Sequence, residues 1–198
     1  MREAAAGPDG RLRCPWSLGS AEYLSYHDAE WGRPVRDDIG VFERICLEGF
    51  QSGLSWLIIL RKRENFRTAF AGFDPVTVAE FGPADVTRLL ADTGIVRNRA
   101  KIEATINNAR AALGLPAGLA ATVWSYAPSQ DGAAGEDVAP QTLDDIPAWT
   151  PASKALSAEL RRAGFRFTGP VTVYATMQAC GVVDDHLAGC YLRRAYRG

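Results

Sequence analysis

Two cysteine–histidine pairs stand far apart in this chain. Cys14 precedes His27, and His186 precedes Cys190 in Asp184-Asp185-His186-Leu187-Ala188-Gly189-Cys190. They use both histidines of the chain and two of its four cysteines. Two thiolates and two imidazoles can complete a closed tetrahedral zinc site, with no coordination position left for a substrate. If the pairs meet, one ion ties together two distant segments and acts as a staple, not as a catalyst. The second pair has the spacing of neighbours on one helix face, whereas the first needs a turn to close. The competing reading is that these cysteines are small buried apolar side chains. Spacing alone leaves both readings open. Cys46 and Cys180 lie in the apolar runs Ile45-Cys46-Leu47 and Ala179-Cys180-Gly181 and read as core thiols.

Glu48 is the carboxylate with the most unusual setting. Val41, Ile45 and Glu48 share a helix face by three-to-four spacing, which places a carboxylate against apolar surface, where it is costly without partners. It is either a locally paired helix-edge residue or a ligand-facing group beside aromatic walls. The aromatics are dense nearby: Trp16, Tyr23, Tyr26 and Trp31 surround the first cysteine–histidine pair, and Trp56 follows the Gly53-Leu54 turn. A third segment, Leu89 to Ile102, joins two helical patterns through Gly94 and opens the second with Arg97, Arg99 and Lys101. Cations are unfavourable at a helix N-terminus, so the cluster points to an anion outside, such as a phosphate held by backbone amides. An ordinary helical hairpin with a solvated basic face is the alternative. Arg61-Lys62-Arg63 and Arg67 read as a solvated helix face.

These groups must be positioned by helices. Residues 1–12 read as a flexible tail. Asp37-Asp38 can cap a helix through Gly49, Ser55 one from Trp56 to Phe70, and Asp74-Pro75 opens another. Pro83 to Asp92, Asn98 to Leu113, Leu119 to Tyr126, Thr150-Pro151 to Arg162 and Thr168-Gly169-Pro170 to Cys180 follow the helical pattern. Residues 128–140 turn to Ser, Gly, Ala, Asp and Pro and read as a loop. No convincing alternating strand appears, so the predicted class is all-α. A hydrophobic content of 47% with 23% charged residues suits a soluble globular protein. No apolar run is long enough to span a bilayer, and Met1-Arg2-Glu3-Ala4 lacks a secretory apolar stretch. A cytoplasmic monomer with reduced thiols and no membrane contact is expected. The net charge of −1 gives no global sign of nucleic-acid binding, so any such surface must be local.

Taken together, Tyr26-His27-Asp28-Ala29-Glu30-Trp31-Gly32, Ile45-Cys46-Leu47-Glu48-Gly49, Gly53-Leu54-Ser55-Trp56, Lys62-Arg63-Glu64-Asn65-Phe66 and Met177-Gln178-Ala179-Cys180-Gly181 closely resemble the type I 3-methyladenine-DNA glycosylases of the helix-hairpin-helix superfamily. The resemblance runs from about Cys14 to Cys190. It implies one glycosylase domain over 13–198, with a helix-hairpin-helix lobe over about 40–126 and a zinc-stapled lobe from about 13–36 plus 148–198. It implies hydrolysis of the N-glycosidic bond of 3-methyladenine in duplex DNA, with base flipping, release of the free base and no backbone cleavage.

The family's zinc ligands fall on Cys14, His27, His186 and Cys190. Its base pocket falls on Glu48, Tyr26, Trp56, Trp16 and Trp31, with Tyr23 close by, and Glu48 is also the candidate catalytic group. DNA contacts fall on Gly53, Leu54 (a plausible wedge), Gly94, Arg97, Arg99 and Lys101. Many superfamily members carry a second hairpin glycine where this chain has Val96. Many also use a downstream aspartate, yet no Asp or Glu stands between Glu103 and Asp131. That departure limits the chemistry to labile, positively charged lesions. The alternative is a non-catalytic, zinc-stabilised helix-hairpin-helix DNA-binding protein, for which the aromatics and Glu48 have no use.

Overall fold

Capping groups set most of the helix starts. In the computed structural model, which describes residues 3–128 and 139–195, the Ser20 hydroxyl accepts from the Tyr23 amide and opens α1 (Ala21–Ala29). Asp37 accepts from Gly40 at 2.7 Å and opens α2 (Asp38–Gln51). Ser55 was the expected cap of α3 (Trp56–Ala69), but its side chain makes no capping bond. The Tyr23 hydroxyl instead accepts from the Leu57 amide at 3.1 Å, so α1 satisfies an orphan donor of α3 from outside.

Asp74 accepts from Val76 and Thr77 at the start of α4 (Pro75–Ala79). Asp85 reaches back to the Gly82 amide at α5 (Pro83–Ala91), and Asn98 accepts from Lys101 at α6 (Arg99–Leu113). A short α7 (Leu119–Trp124) is capped across the fold by Asp38, which accepts from Ala120 at 2.7 Å. Thr150 and Ser153 exchange bonds at α8 (Pro151–Arg162), and Pro170 opens α9 (Pro170–Ala179).

The all-α expectation needs a small correction. β1 (Ala5–Ala6) and β2 (Leu12–Arg13) form an antiparallel hairpin with Ala5 opposite Arg13, and Glu3 bridges to Thr142. Residues 3–12 are therefore not the flexible tail the sequence suggested. Arg13, 3% exposed, holds them: its guanidinium donates to Asp9 and Asp28, while the Tyr191 amide donates to the Leu12 carbonyl at 2.9 Å. Strands of two residues are too short to carry a periodic signal.

Two apolar clusters form the interior. The larger gathers Phe42, Phe50, Phe66, Phe70 and Phe73 with Leu89, Ile102 and Leu119. It also takes Leu156, Leu160, Val173 and Met177 from α8 and α9, so these helices are shared between the two lobes drawn from sequence. The smaller cluster holds Cys14, Tyr26, Trp31, Ala179, Leu187 and Cys190, and Trp56 packs against both. No helix among the described residues is long and apolar enough to cross a membrane. Most of the 128–140 segment lies outside the described residues.

Candidate active site and metal centre

Cys14, His27 and Cys190 converge with their ligand atoms within 4.8 Å of one another, all buried. Cys190 Sγ lies 3.4 Å from His27 Nε2. His186 stands beside this trio, its ring 5.1 Å from that of His27. His186 Nε2 is buried and has no hydrogen-bond partner among the described residues, a costly condition that calls for a bound group. Both imidazoles face a carboxylate through the other nitrogen: His27 Nδ1 to Asp28 Oδ1 at 2.9 Å, and His186 Nδ1 to Asp184 Oδ1 at 3.0 Å. Carboxylates in that position orient a metal-binding histidine and leave Nε2 for the ion. A hydrogen bond with Cys190 and then burial hold the Cys14 thiol well above its ordinary range, so two thiolates here would need a cation. Gly32, at φ +79, leaves room for this arrangement, since a Cβ there would meet His186 Cε1 at 2.5 Å. The donor set and its surroundings fit a metal ion.

Against this clasp lies the aromatic group. Trp16 is 5.1 Å from Trp31, 6.5 Å from Tyr26 and 6.0 Å from Tyr23 between ring centroids. Tyr26 is 5.5 Å from Trp56. Trp31 also packs on both imidazoles, 6.3 Å from His27 and 4.7 Å from His186, so it joins the clasp to the aromatic wall. Glu48 is 7% exposed, and its carboxylate accepts no hydrogen bond among the described residues. Burial raises its pKa to about 8. Tyr26, 7% exposed, has its hydroxyl pushed well up by burial and by the negative charge of Glu48. Trp56 Nε1 is a buried donor without a partner among the described residues. Among the described residues one acceptor and one donor are thus left unused, Glu48 acting on Tyr26 through its charge and Trp56 packed on its ring.

α5 and α6 pack as a hairpin around Gly94, but two residues expected to face DNA there are otherwise engaged. The Gly94 amide donates to Asp92 Oδ1 at 2.7 Å, and its carbonyl accepts from Lys62 and Asn65. Lys101 points inward, 9% exposed, and donates to the Phe50 carbonyl at 2.8 Å and the Ser52 carbonyl at 2.6 Å. The ammonium of Lys101, expected from sequence to contact DNA, satisfies free carbonyls at the C-terminus of α2. Arg97 and Arg99 are exposed, and Arg99 makes an ion pair with Glu103 at 3.3 Å. Gly53 has φ +80, and Leu54 beside it is 37% exposed.

The sequence profile of the methyladenine glycosylase family matches residues 16–194. The chain belongs to that family. It is 47% identical over 181 residues to DNA-3-methyladenine glycosylase 1 of Escherichia coli (strain K12), covering 90% of this chain and 95% of that protein. A crystal structure of a 3-methyladenine DNA glycosylase I superposes with a TM-score of 0.84 at 47% identity, over 91% of this chain and 99% of that one. A Staphylococcus aureus 3-methyladenine DNA glycosylase I, solved for the structural basis of 3-methyladenine recognition, gives 0.83 at 34% identity, over 91% and 96%.

Within this methyladenine glycosylase, several positioning residues were not singled out from sequence. The basic residues of α3, read as a solvated face, are paired. Arg63 binds Glu30 through two bonds of 2.6 and 2.8 Å, Arg67 binds Glu43, and Arg61 binds Glu22. Ion pairs between distant segments leave no sequence pattern. Lys101→Met should destabilise this glycosylase by about 1–3 kcal/mol, because two carbonyls at the end of the Glu48 helix lose their donor. Urea unfolding of Lys101→Met checks this, and unchanged stability would show that the ammonium is dispensable.

Proposed function

We infer that this chain is a DNA repair glycosylase that hydrolyses the N-glycosidic bond of 3-methyladenine in duplex DNA. The observation that carries the reading is the buried Glu48 carboxylate, which accepts no hydrogen bond among the described residues and whose charge acts on Tyr26, itself packed on Trp56. N3-methylation leaves the base positively charged in the nucleoside, so it departs readily. The protein's task is to extract it and discriminate. Extraction by flipping costs a few kcal/mol, least for a damaged pair. Indole and phenol faces then attract the cation by about 0.5–2 kcal/mol each. Glu48 accepts from the adenine amino group and adds negative charge near the cationic ring. When the C1′–N9 bond breaks, its electron pair goes to the base and cancels the positive charge. Water forms the new bond to C1′ and loses a proton, leaving an abasic site. Normal adenine gains less from every one of these contacts.

Cys14, His27, His186 and Cys190 would hold one zinc ion, which supplies structure by fastening the aromatic segment to the chain beyond α9. The exposed Arg97 and Arg99 and the amides of Ile95, Val96 and Arg97, which donate to nothing among the described residues, suit a DNA phosphate. Leu54, on its turn, suits the gap left by the flipped nucleotide. One chain carries every residue of this scheme, which supports action as a monomer. Duplexes carrying 3-methyladenine, 7-methylguanine or hypoxanthine test the reading. Release of 3-methyladenine is expected, with little from hypoxanthine. No release of 3-methyladenine, while a known glycosylase acts in parallel, would leave only the non-catalytic DNA-binding alternative.

A further inference from the structure

The loop between α8 and α9 holds an exposed aromatic side chain on a disfavoured backbone. Phe167 has φ +57 and is 42% exposed. Bulky residues avoid that region unless the surroundings impose it. Here they do. Buried Asn108 of α6 donates to the Arg166 carbonyl at 2.9 Å and accepts from the Arg166 amide at 2.7 Å. Asn107 donates to the Gly164 carbonyl at 2.6 Å, and Ser157 of α8 to the Thr168 carbonyl at 2.6 Å. Bonds from two helices thus present a ring to solvent in a conformation that a glycine would adopt without strain.

The position of the loop gives that arrangement a use. A Cβ built on Gly49 lies 3.6 Å from Phe167 Cβ, in ordinary contact, and Gly49 follows Glu48 in α2. The same helix ends in the turn that exposes Leu54. Arg166, next to the ring, is exposed and its guanidinium has no partner among the described residues. An unpaired cation and a propped-out ring bordering the Glu48 helix fit a nucleic acid, which offers a phosphate and an apolar base or sugar face together. We propose that the Arg166–Phe167 loop is a DNA-contacting element of this enzyme. Phe167 packs against a nucleotide flanking the extruded one, and Arg166 pairs with a backbone phosphate. This rests on the glycosylase reading above.

The test uses the full chain with Phe167→Gly and Arg166→Gln. Binding to a duplex with a stable abasic analogue is measured by fluorescence anisotropy across a salt series. Phe167→Gly should weaken duplex binding about tenfold, leave binding of free 3-methyladenine unchanged, and keep or raise the melting temperature. A merely structural ring would not give that combination. Arg166→Gln should reduce the slope of log K against log salt by about one. Wild-type duplex affinity in Phe167→Gly, or a wild-type slope in Arg166→Gln, would overturn the proposal. Excision by the unmodified protein is measured alongside. Its absence counts against the glycosylase reading, whereas the duplex-binding arms judge the loop by themselves.

Discussion

Replacing Glu48 by glutamine should lower excision of 3-methyladenine roughly 10- to 100-fold, the range expected when a hydrogen bond to a charged group is lost. Affinity for an abasic duplex should stay near wild type, because the role proposed for Glu48 is towards the base and not the backbone. The variant should also be more stable at alkaline pH. Burial raises the Glu48 pKa from 4.5 to about 8, so the folded protein holds a proton there that the unfolded chain has released. Stability contributed by this group is therefore greatest below about pH 4.5 and falls as pH climbs towards 8, with no further loss above.

The titratable neighbours Tyr26 on α1 and Cys180, just past the end of α9, both sense Glu48, and both also sense Arg44 of α2. Their own values are raised by burial, so they stay neutral across this window. Glutamine does not titrate, so the melting-temperature difference should shift in favour of the variant between pH 5 and 9. Excision by the unmodified enzyme should move the opposite way, rising towards pH 8 as the carboxylate able to face a cation accumulates. Wild-type excision by Glu48→Gln would remove Glu48 from its role, and a pH-independent melting difference would contradict its buried proton.

Loss of the proposed zinc should have the largest effect on stability. Structural zinc contributes on the order of 10 kcal/mol in small peptides, and here Trp16, Tyr26 and Trp31 are positioned by residues adjoining the ligands. Chelation, or Cys14→Ser, should abolish the cooperative thermal transition seen with metal or lower it by more than ten degrees. Activity should fall only in proportion to the fraction unfolded. Metal analysis of the purified protein should find one zinc per chain. Asp184→Asn, which weakens the carboxylate behind His186 without touching the ligand set, should lower zinc affinity about 10- to 100-fold. A chelated protein that keeps its melting temperature would reduce the four residues to a packed core.

Much of the helix layout was legible because the signals are local. Asp37, Asp74, Asn98 and Thr150 each bond amides two or three residues on, as their positions suggest. What could not be read depends on segments far apart in the chain. The start of α3 is completed by Tyr23, thirty-four positions upstream. Lys101 reads from sequence as a DNA contact because it sits among cations, whereas its partners in the fold are carbonyls at the end of α2 about fifty positions away. Gly94 is likewise spent on Asp92, Lys62 and Asn65. The metal-ligand set could be suspected from residue type and spacing, whereas the orphaned His186 Nε2 and the Asp28 and Asp184 supports are visible only in three dimensions.

The distance spanned by the clasp bears on how the protein is made. His27 and Cys190 touch across 163 positions of chain, and the Leu187 amide meets Cys14 Sγ across 173. A contact of such separation closes late, since the loop entropy must be met before it repays anything. On the ribosome the tryptophans that would grip a cationic base stay unfastened until Cys190 has emerged. During that interval Cys14 lacks the full set of partners that His27 and Cys190 form with it around the proposed zinc. If zinc fastens the proposed site, a shortage of the ion should lower the yield of folded enzyme from newly made chains.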